Sequence, residues 1–146
     1  AARLFEPMAG GLKRQVWIYH AALDSRKQVA LQERGAVLTH MPGATNKVDL
    51  AAVLRDLGRR EVNELHVEAG HKLNGSFLRE GLVDELLLYL APKLLGQGAG
   101  VSSFGPLQRL QDGIGLNFTS ADSVGDDLRI LARVRGRDVF LQASQA

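Results

Sequence analysis

Nine consecutive residues, Glu68 to Ser76, bring a lone carboxylate up against a glycine-flanked helix start. Glu68 closes the run "ELHVE" and Gly70, His71, Lys72, Leu73, Asn74, Gly75 and Ser76 follow it. Burying a charge at the end of an apolar strand is costly unless polar groups meet it. A helix start has the opposite appetite: its first N–H groups lack intrahelical partners and its dipole leaves about half a positive charge there, which suits an anion. Gly70 has no side chain, so a phosphate can approach the main chain closely. Gly75 would let the helix pack tightly against the sheet, Lys72 adds a point charge, and His71 is placed to hydrogen-bond a phosphate. Spacing alone leaves other readings open: a tight turn needing positive φ at Gly70, a surface carboxylate at Glu68 capping a neighbouring helix, and a loop histidine with no role at 71.

The elements that must position these residues read as alternating strands and helices. "VWIYHAA" (16–22) is a strand, followed by a helix capped by Asp24 or Ser25 and stopped by Gly35. "AVLTHM" (36–41) is the next strand. In "VDLAAVLRDLG" Leu50, Val53, Leu54 and Leu57 fall on one helical face, with Asp49 at the start and Gly58 at the stop. Residues 64–68 read as a third strand, with His66 packed, as His20 and His40 are. A helix over 72–80 then buries Leu73, Phe77 and Leu78 and stops at Gly81. The unbroken apolar run Leu86 to Ala91 reads as a central strand covered on both faces, opened by Asp84. Strands and helices in this order imply right-handed crossovers and a parallel sheet with helices on its faces. After Pro92 the pattern changes to loop, one helical turn at 107–110, and antiparallel strands over 116–141 that turn near Gly125 and Asp126. In an open α/β sheet ligands collect above the carboxyl ends of strands, which is where Glu68 falls.

Composition narrows the chemistry. A chain of 146 residues fits one domain. No apolar run approaches the roughly 20 residues needed to cross a bilayer, so membrane insertion is set aside. Lys and Arg total 18 against 16 Asp and Glu, and the bases are scattered, with Arg59-Arg60 and "RVRGR" (133–137) the densest groups. The second reads as a solvated strand face beside the acidic turn at Asp126-Asp127. With only five Phe, two Tyr and one Trp to stack on bases, a nucleic-acid partner is not expected. Cysteine is absent, which excludes disulfides, a thiolate nucleophile and a Cys-based zinc site, and His20, His40, His66 and His71 lack ligand spacing, so no metal is expected. A cytoplasmic location fits these features. The start "AARLFEPMAGGLKRQ" has neither a continuous apolar segment nor an initiator Met and reads as a cut end.

"VEAGHKLNGSFLREGLVDELLLYLAPKLLGQGA" closely resembles the C-terminal reductase domain of the bifunctional riboflavin-biosynthesis deaminase/reductase, densely over 64–100 and collinearly over 15–60 and 115–142. The resemblance implies a dihydrofolate-reductase-like, three-layer α/β/α fold with a mostly parallel sheet and antiparallel C-terminal strands. It implies transfer of hydride from NADPH to the ribosyl group of 5-amino-6-(5-phosphoribosylamino)uracil. It also implies that Glu68 contacts substrate, that Gly70 to Ser76 hold NADPH, and, by fold analogy, that His20 to Ala22 lie near the adenosine half. His71-Lys72 stand where many relatives have Pro-Thr, a change of side chains that leaves the backbone donors in place. Set against the family, the sequence is expected to lack the zinc deaminase domain and to enter the reductase domain late, with that domain's first strand preceding Ala1. A single, partial domain is therefore expected, catalytic activity of which is in question. Its open sheet edge leads us to expect a homo-oligomer. Two other readings stay open: a reductase of another heterocycle such as a pterin, and a non-catalytic nucleotide-binding or assembly fragment.

Overall fold

The computed structural model describes residues 3–7, 10–11 and 14–137. The chain divides into two compact units, Ala1–Leu65 and His66–Ala146. The first holds strand β1 (Val16–His20), helix α1 (Ser25–Gln32), strand β2 (Ala36–His40) and helix α2 (Leu50–Arg59). The second holds helix α3 (His71–Arg79) and strands β3 (Glu85–Leu90), β4 (Leu116–Val124) and β5 (Asp127–Val134). The α/β class expected from sequence is present, with a parallel pair and antiparallel C-terminal strands. No helix among the described residues is long and apolar enough to cross a membrane.

In the first unit β1 and β2 run parallel in register from Val16↔Ala36 to His20↔His40. Asp24 caps α1, its carboxylate accepting from Lys27 N–H at 3.1 Å, and Gly35 follows the helix at φ +89°. Asp49 caps α2 in the same way, accepting from Ala52 N–H at 2.8 Å, and Leu50, Val53 and Leu57 are buried, with Leu54 only half-buried. The helix passes through Gly58, the expected stop, and ends one residue later. Val62 N–H donates to Leu57 O and Glu61 N–H to Gly58 O, a Schellman closure that forces Glu61 to φ 63°. Arg59 and Arg60, unassigned from sequence, belong to a network with Asp56. The Asp56 carboxylate accepts from Tyr19 Oη at 2.7 Å on β1, from Arg60 Nε at 2.7 Å and from an Arg59 guanidinium N–H at 3.1 Å. Arg60 also lies over the Trp17 ring at 5.0 Å. The Arg60 and Tyr19 hydrogen bonds hold the Asp56 carboxyl down at about 2, and burial followed by the Asp56 contact raises the Tyr19 phenol.

His20 and His40 are not packed in a core. Their rings sit 5.2 Å apart, with His20 Nδ1 on Ala22 O at 2.8 Å and His40 Nε2 on Ala21 O at 3.0 Å. A carbonyl only accepts, so each of these nitrogens carries its proton.

In the second unit the order is β3-β5-β4, all antiparallel, with a bulge between Phe118 and Ser120 in β4. Gly125, at φ +60°, makes the β4–β5 hairpin where the sequence places it. The strands expected over 116–141 end at Val134: residues 135–136 form a turn, and 138–141 lie outside the described residues. Gly81, at φ +65°, closes α3 with Leu82 N–H on Phe77 O and its own N–H on Leu78 O. Three expectations fail here. Residues 64–68 form no strand, and no backbone ladder bond among the described residues involves them. A strand exists only through its partner, and among the described residues the outer edge of β3 carries none. Among the described residues the β3 run is therefore an edge, paired with β5 alone and with Leu87 and Tyr89 exposed, rather than a strand covered on both faces. The short helical turn lies at Leu110–Asp112, past the expected 107–110, closed by Arg109 on Asp112 at 2.8 Å.

"RVRGR" also pairs differently from expectation. The hairpin at Gly125 lies at the opposite end of β5, so Arg133 meets its cross-strand partner Glu85 at 3.3 Å and Arg137 meets Asp84 at 3.4 Å and Gly81 O. Asp84 does stand at the opening of β3, and its carbonyl accepts from Val134 N–H at 3.0 Å.

Two outcomes follow from the first unit. The Asp56 carboxyl falls from an ordinary 3.8 to about 2 on folding, so its stabilisation is complete above the unfolded value and is lost as pH drops through about 2. Acid titrations followed by circular dichroism should show Asp56→Asn less stable at neutral pH and flatter than the parent between those values. Glu61→Gly relieves a left-handed non-glycine residue and should raise stability by about 0.5–1 kcal/mol in urea unfolding.

Candidate functional site

The start of α3 is built by a local exchange of hydrogen bonds. Gly70 is the N-cap, at φ −73° and ψ 159°, and no side chain caps the helix. Leu73 N–H donates to Gly70 O at 3.0 Å and Asn74 N–H to the same oxygen at 3.2 Å. The N–H groups of Gly70, His71 and Lys72 have no acceptor among the described residues. A φ of −73° suits any residue, so the tight-turn explanation of Gly70 fails. A Cβ there would meet nothing within 4 Å, which leaves the main chain approachable from outside.

Gly75 is glycine for a different reason from the one expected. It packs against the segment Val101–Ser103, not against the sheet: a Cβ at 75 would overlap the Ser103 carbonyl and lie 2.7 Å from Ser103 N. That segment is tied to the helix start at two points. Ser103 N–H donates to His71 O at 2.9 Å, and Asn74 Nδ2 donates to Val101 O at 3.0 Å. The same Nδ2 donates to Ala69 O at 3.2 Å, just before the N-cap. The partnership of 74–75 with 101–103 had no sequence signal beyond the paired glycines, because the contacts span 27 residues or more.

The other candidates are distributed around this turn. Lys72 is exposed, and its carbonyl accepts from Ser76 Oγ at 3.2 Å. Ser76 Oγ also accepts from Arg79 at 3.1 Å, so its hydroxyl is engaged along the helix. His71 is half-buried. Leu73 is 44% exposed, contrary to the buried position expected: it shares a face with buried Phe77 but lies one turn earlier, where the cover ends. The Glu68 side chain is 89% exposed and stands 3.8 Å from His66 Nε2. His66, at 60% exposure, is a surface residue rather than a packed one. Among the described residues Glu68 makes no hydrogen bond to a helix N-terminus, so the capping alternative is not what holds it. The structure thus gathers Gly70 to Ser76 on one helix start, two residues along the chain from an outward carboxylate. Its main-chain donors suit an anion and its carboxylate suits hydroxyl or amine donors. Among the described residues no group of three potential metal ligands occurs.

A separate hollow of about 280 Å³ opens at the far end of α3, lined by Leu78, Val83, Ile114 and Val134 with Arg135 and Arg137 beside it. It includes none of the residues just described.

Comparison with known proteins identifies the family. The model of the RibD C-terminal domain family matches residues 9–130. Riboflavin biosynthesis protein RibD of Haemophilus influenzae is 40% identical over 88 residues, 60% of this chain and 24% of that protein. The 5-amino-6-(5-phosphoribosylamino)uracil reductase of Buchnera aphidicola is 31% identical over 86 residues, 58% of this chain and 42% of that protein. Among solved structures, Acinetobacter baumannii RibD superposes with a TM-score of 0.67 at 23% identity, covering 82% of this chain and 31% of that one, a likeness of fold. The chain spans about a quarter of the length of the Haemophilus relative. With the family match running through both units and well over half of the sequence, this chain belongs to the RibD C-terminal domain family.

Proposed function

We propose that this chain is the reductase part of a riboflavin-biosynthesis enzyme, which uses NADPH to reduce the ribosyl group of 5-amino-6-(5-phosphoribosylamino)uracil to a ribityl chain. Family membership supports the pathway, and the name of the Buchnera relative supports the substrate. The observation that carries the nucleotide part is the set of N–H groups at Gly70, His71 and Lys72 that have no acceptor among the described residues, with open space where a Gly70 side chain would stand. Dinucleotide phosphates fit such a turn because they accept from main-chain donors and gain from the helix dipole.

In this reading Gly70, His71 and Lys72 hold phosphate oxygens by their amides, and the exposed Lys72 ammonium adds charge. Leu73, Asn74, Gly75 and Ser76 complete the cofactor turn by shaping the helix behind those amides. When bound, the cofactor supplies the hydride, and the protein's task is orientation and charge placement. Glu68, acceptor-only when ionised, orients donor groups of the substrate. The outer edge of β3, which has no strand partner among the described residues, and the exposed Leu87 and Tyr89 support association of the chain with further copies of itself.

Calorimetric titration tests the cofactor assignment. The unmodified chain should release or absorb measurable heat with NADPH, and Gly70→Glu should abolish it by filling the open position with a like charge. Its φ and ψ are open to any residue, so the unfolding temperature should stay within about 2 °C. No heat from the unmodified chain at millimolar NADPH would contradict the reading. NADPH oxidation with the aminouracil ribosylamine and none with dihydrofolate separates this substrate from a pterin.

A further inference from the structure

We propose that Asn74 is a positioning residue that aims the Gly70 amide outward, an inference that rests on the nucleotide reading of the α3 start. The Asn74 side chain spends its nitrogen on two carbonyls, Ala69 O at 3.2 Å and Val101 O at 3.0 Å. Carbonyl oxygens accept and never donate, so the amide face is fixed by its neighbours and the nitrogen must lie on this side.

The bond to Ala69 O has a consequence one atom further on. The peptide joining Ala69 to Gly70 is planar and trans, so its carbonyl and its N–H point in opposite directions. Drawing the Ala69 carbonyl toward Asn74, inside the first turn, turns the Gly70 N–H away from the helix body. That N–H is one of the three without an acceptor among the described residues. Little else restrains this peptide. Gly70 lacks a side chain, makes no side-chain cap, and is freer in φ and ψ than any other residue type. A flip of the Ala69–Gly70 peptide would exchange donor for acceptor at the place where phosphate oxygens would sit, presenting a carbonyl to an anion.

Asn74 is in turn held from the other side. Its second bond reaches Val101, and the Val101–Ser103 segment is seated by Ser103 N–H on His71 O at 2.9 Å and by the missing side chain of Gly75. The segment thus acts as a strap across α3 that keeps the Asn74 amide from rotating. Asn74 touches neither ligand nor reacting atoms in this account. It works through the backbone that does.

The test uses the whole 146-residue chain and NADPH. Asn74→Leu keeps the side-chain size and removes both donors, and Asn74→Gln restores an amide on a longer stem. Three readouts are taken: NADPH affinity, unfolding temperature, and the Gly70 amide resonance in 15N-labelled protein without ligand. The expected result is about tenfold weaker NADPH binding for Asn74→Leu, the scale of lost hydrogen bonds, with recovery to within about threefold in Asn74→Gln. The unfolding temperature of both should stay within a few degrees of the parent, and the Gly70 resonance should shift or broaden in Asn74→Leu alone. Unchanged affinity and an unchanged Gly70 resonance in Asn74→Leu would overturn the proposal. So would weakened binding that only tracks general unfolding, which would make the residue structural. Because the Gly70 resonance is read without ligand, a parent chain that fails to bind NADPH sinks the nucleotide reading, while a silent Gly70 signal sinks this inference by itself.

Discussion

A short helix must leave its first N–H groups without intrahelical acceptors, and at α3 the protein does not fill that vacancy with a side chain. Elsewhere it does. Asp24 and Asp49 cap α1 and α2 with carboxylates at 3.1 and 2.8 Å, gaining about 1 kcal/mol each by the usual measure of such caps. At Gly70 that stabilisation is forgone, and the surrounding contacts act on carbonyls instead: Asn74 takes Ala69 O and Val101 O, and Ser103 N–H takes His71 O. The helix start is tied down through its acceptors while the N–H groups of Gly70, His71 and Lys72 find no acceptor among the described residues, an arrangement suited to an anionic visitor.

The rest of the second unit serves this turn. Phe77 and Gly75 bury one side of α3, Gly81 ends it, and Arg137 joins its C-terminal loop to Asp84 at the head of β3. The cross-strand pair Arg133–Glu85 and the pair Arg129–Asp122 stitch β5 to β3 and β4. The surface-exposed members of these pairs contribute little individually. Their effect is to fix register. In the first unit the comparable role falls to Asp56, which gathers Tyr19, Arg59 and Arg60 and so links β1 to α2.

What could be seen in the sequence was what short-range chemistry determines. Asp49 and the apolar spacing of α2, Asp24 before α1, Gly81 after α3 and the Gly125 hairpin are each decided within a few residues, and the structure has them where the sequence puts them. The misses are non-local. Residues 64–68 have the period-2 alternation of a strand but make no ladder, because alternation describes a face and not the partner it needs. Leu86 to Ala91 looks central for its composition, and only the sheet order reveals an edge. The glycine at 75 was legible as a close approach, yet its counterpart at Ser103 is set by a loop that has no periodicity to read. The site shows the same division: the glycine-flanked helix start is local, while Asn74's role depends on Val101.

Hydrogen exchange at single amides, with and without NADPH, probes the α3 start most directly. Exchange at Gly70, His71 and Lys72 should slow by about tenfold or more with saturating NADPH, since a bound acceptor must be released before exchange, while Leu73 and Asn74, already bonded to Gly70 O, change little. Slowing confined to other parts of the chain, or none at these three amides despite saturation, would contradict the account.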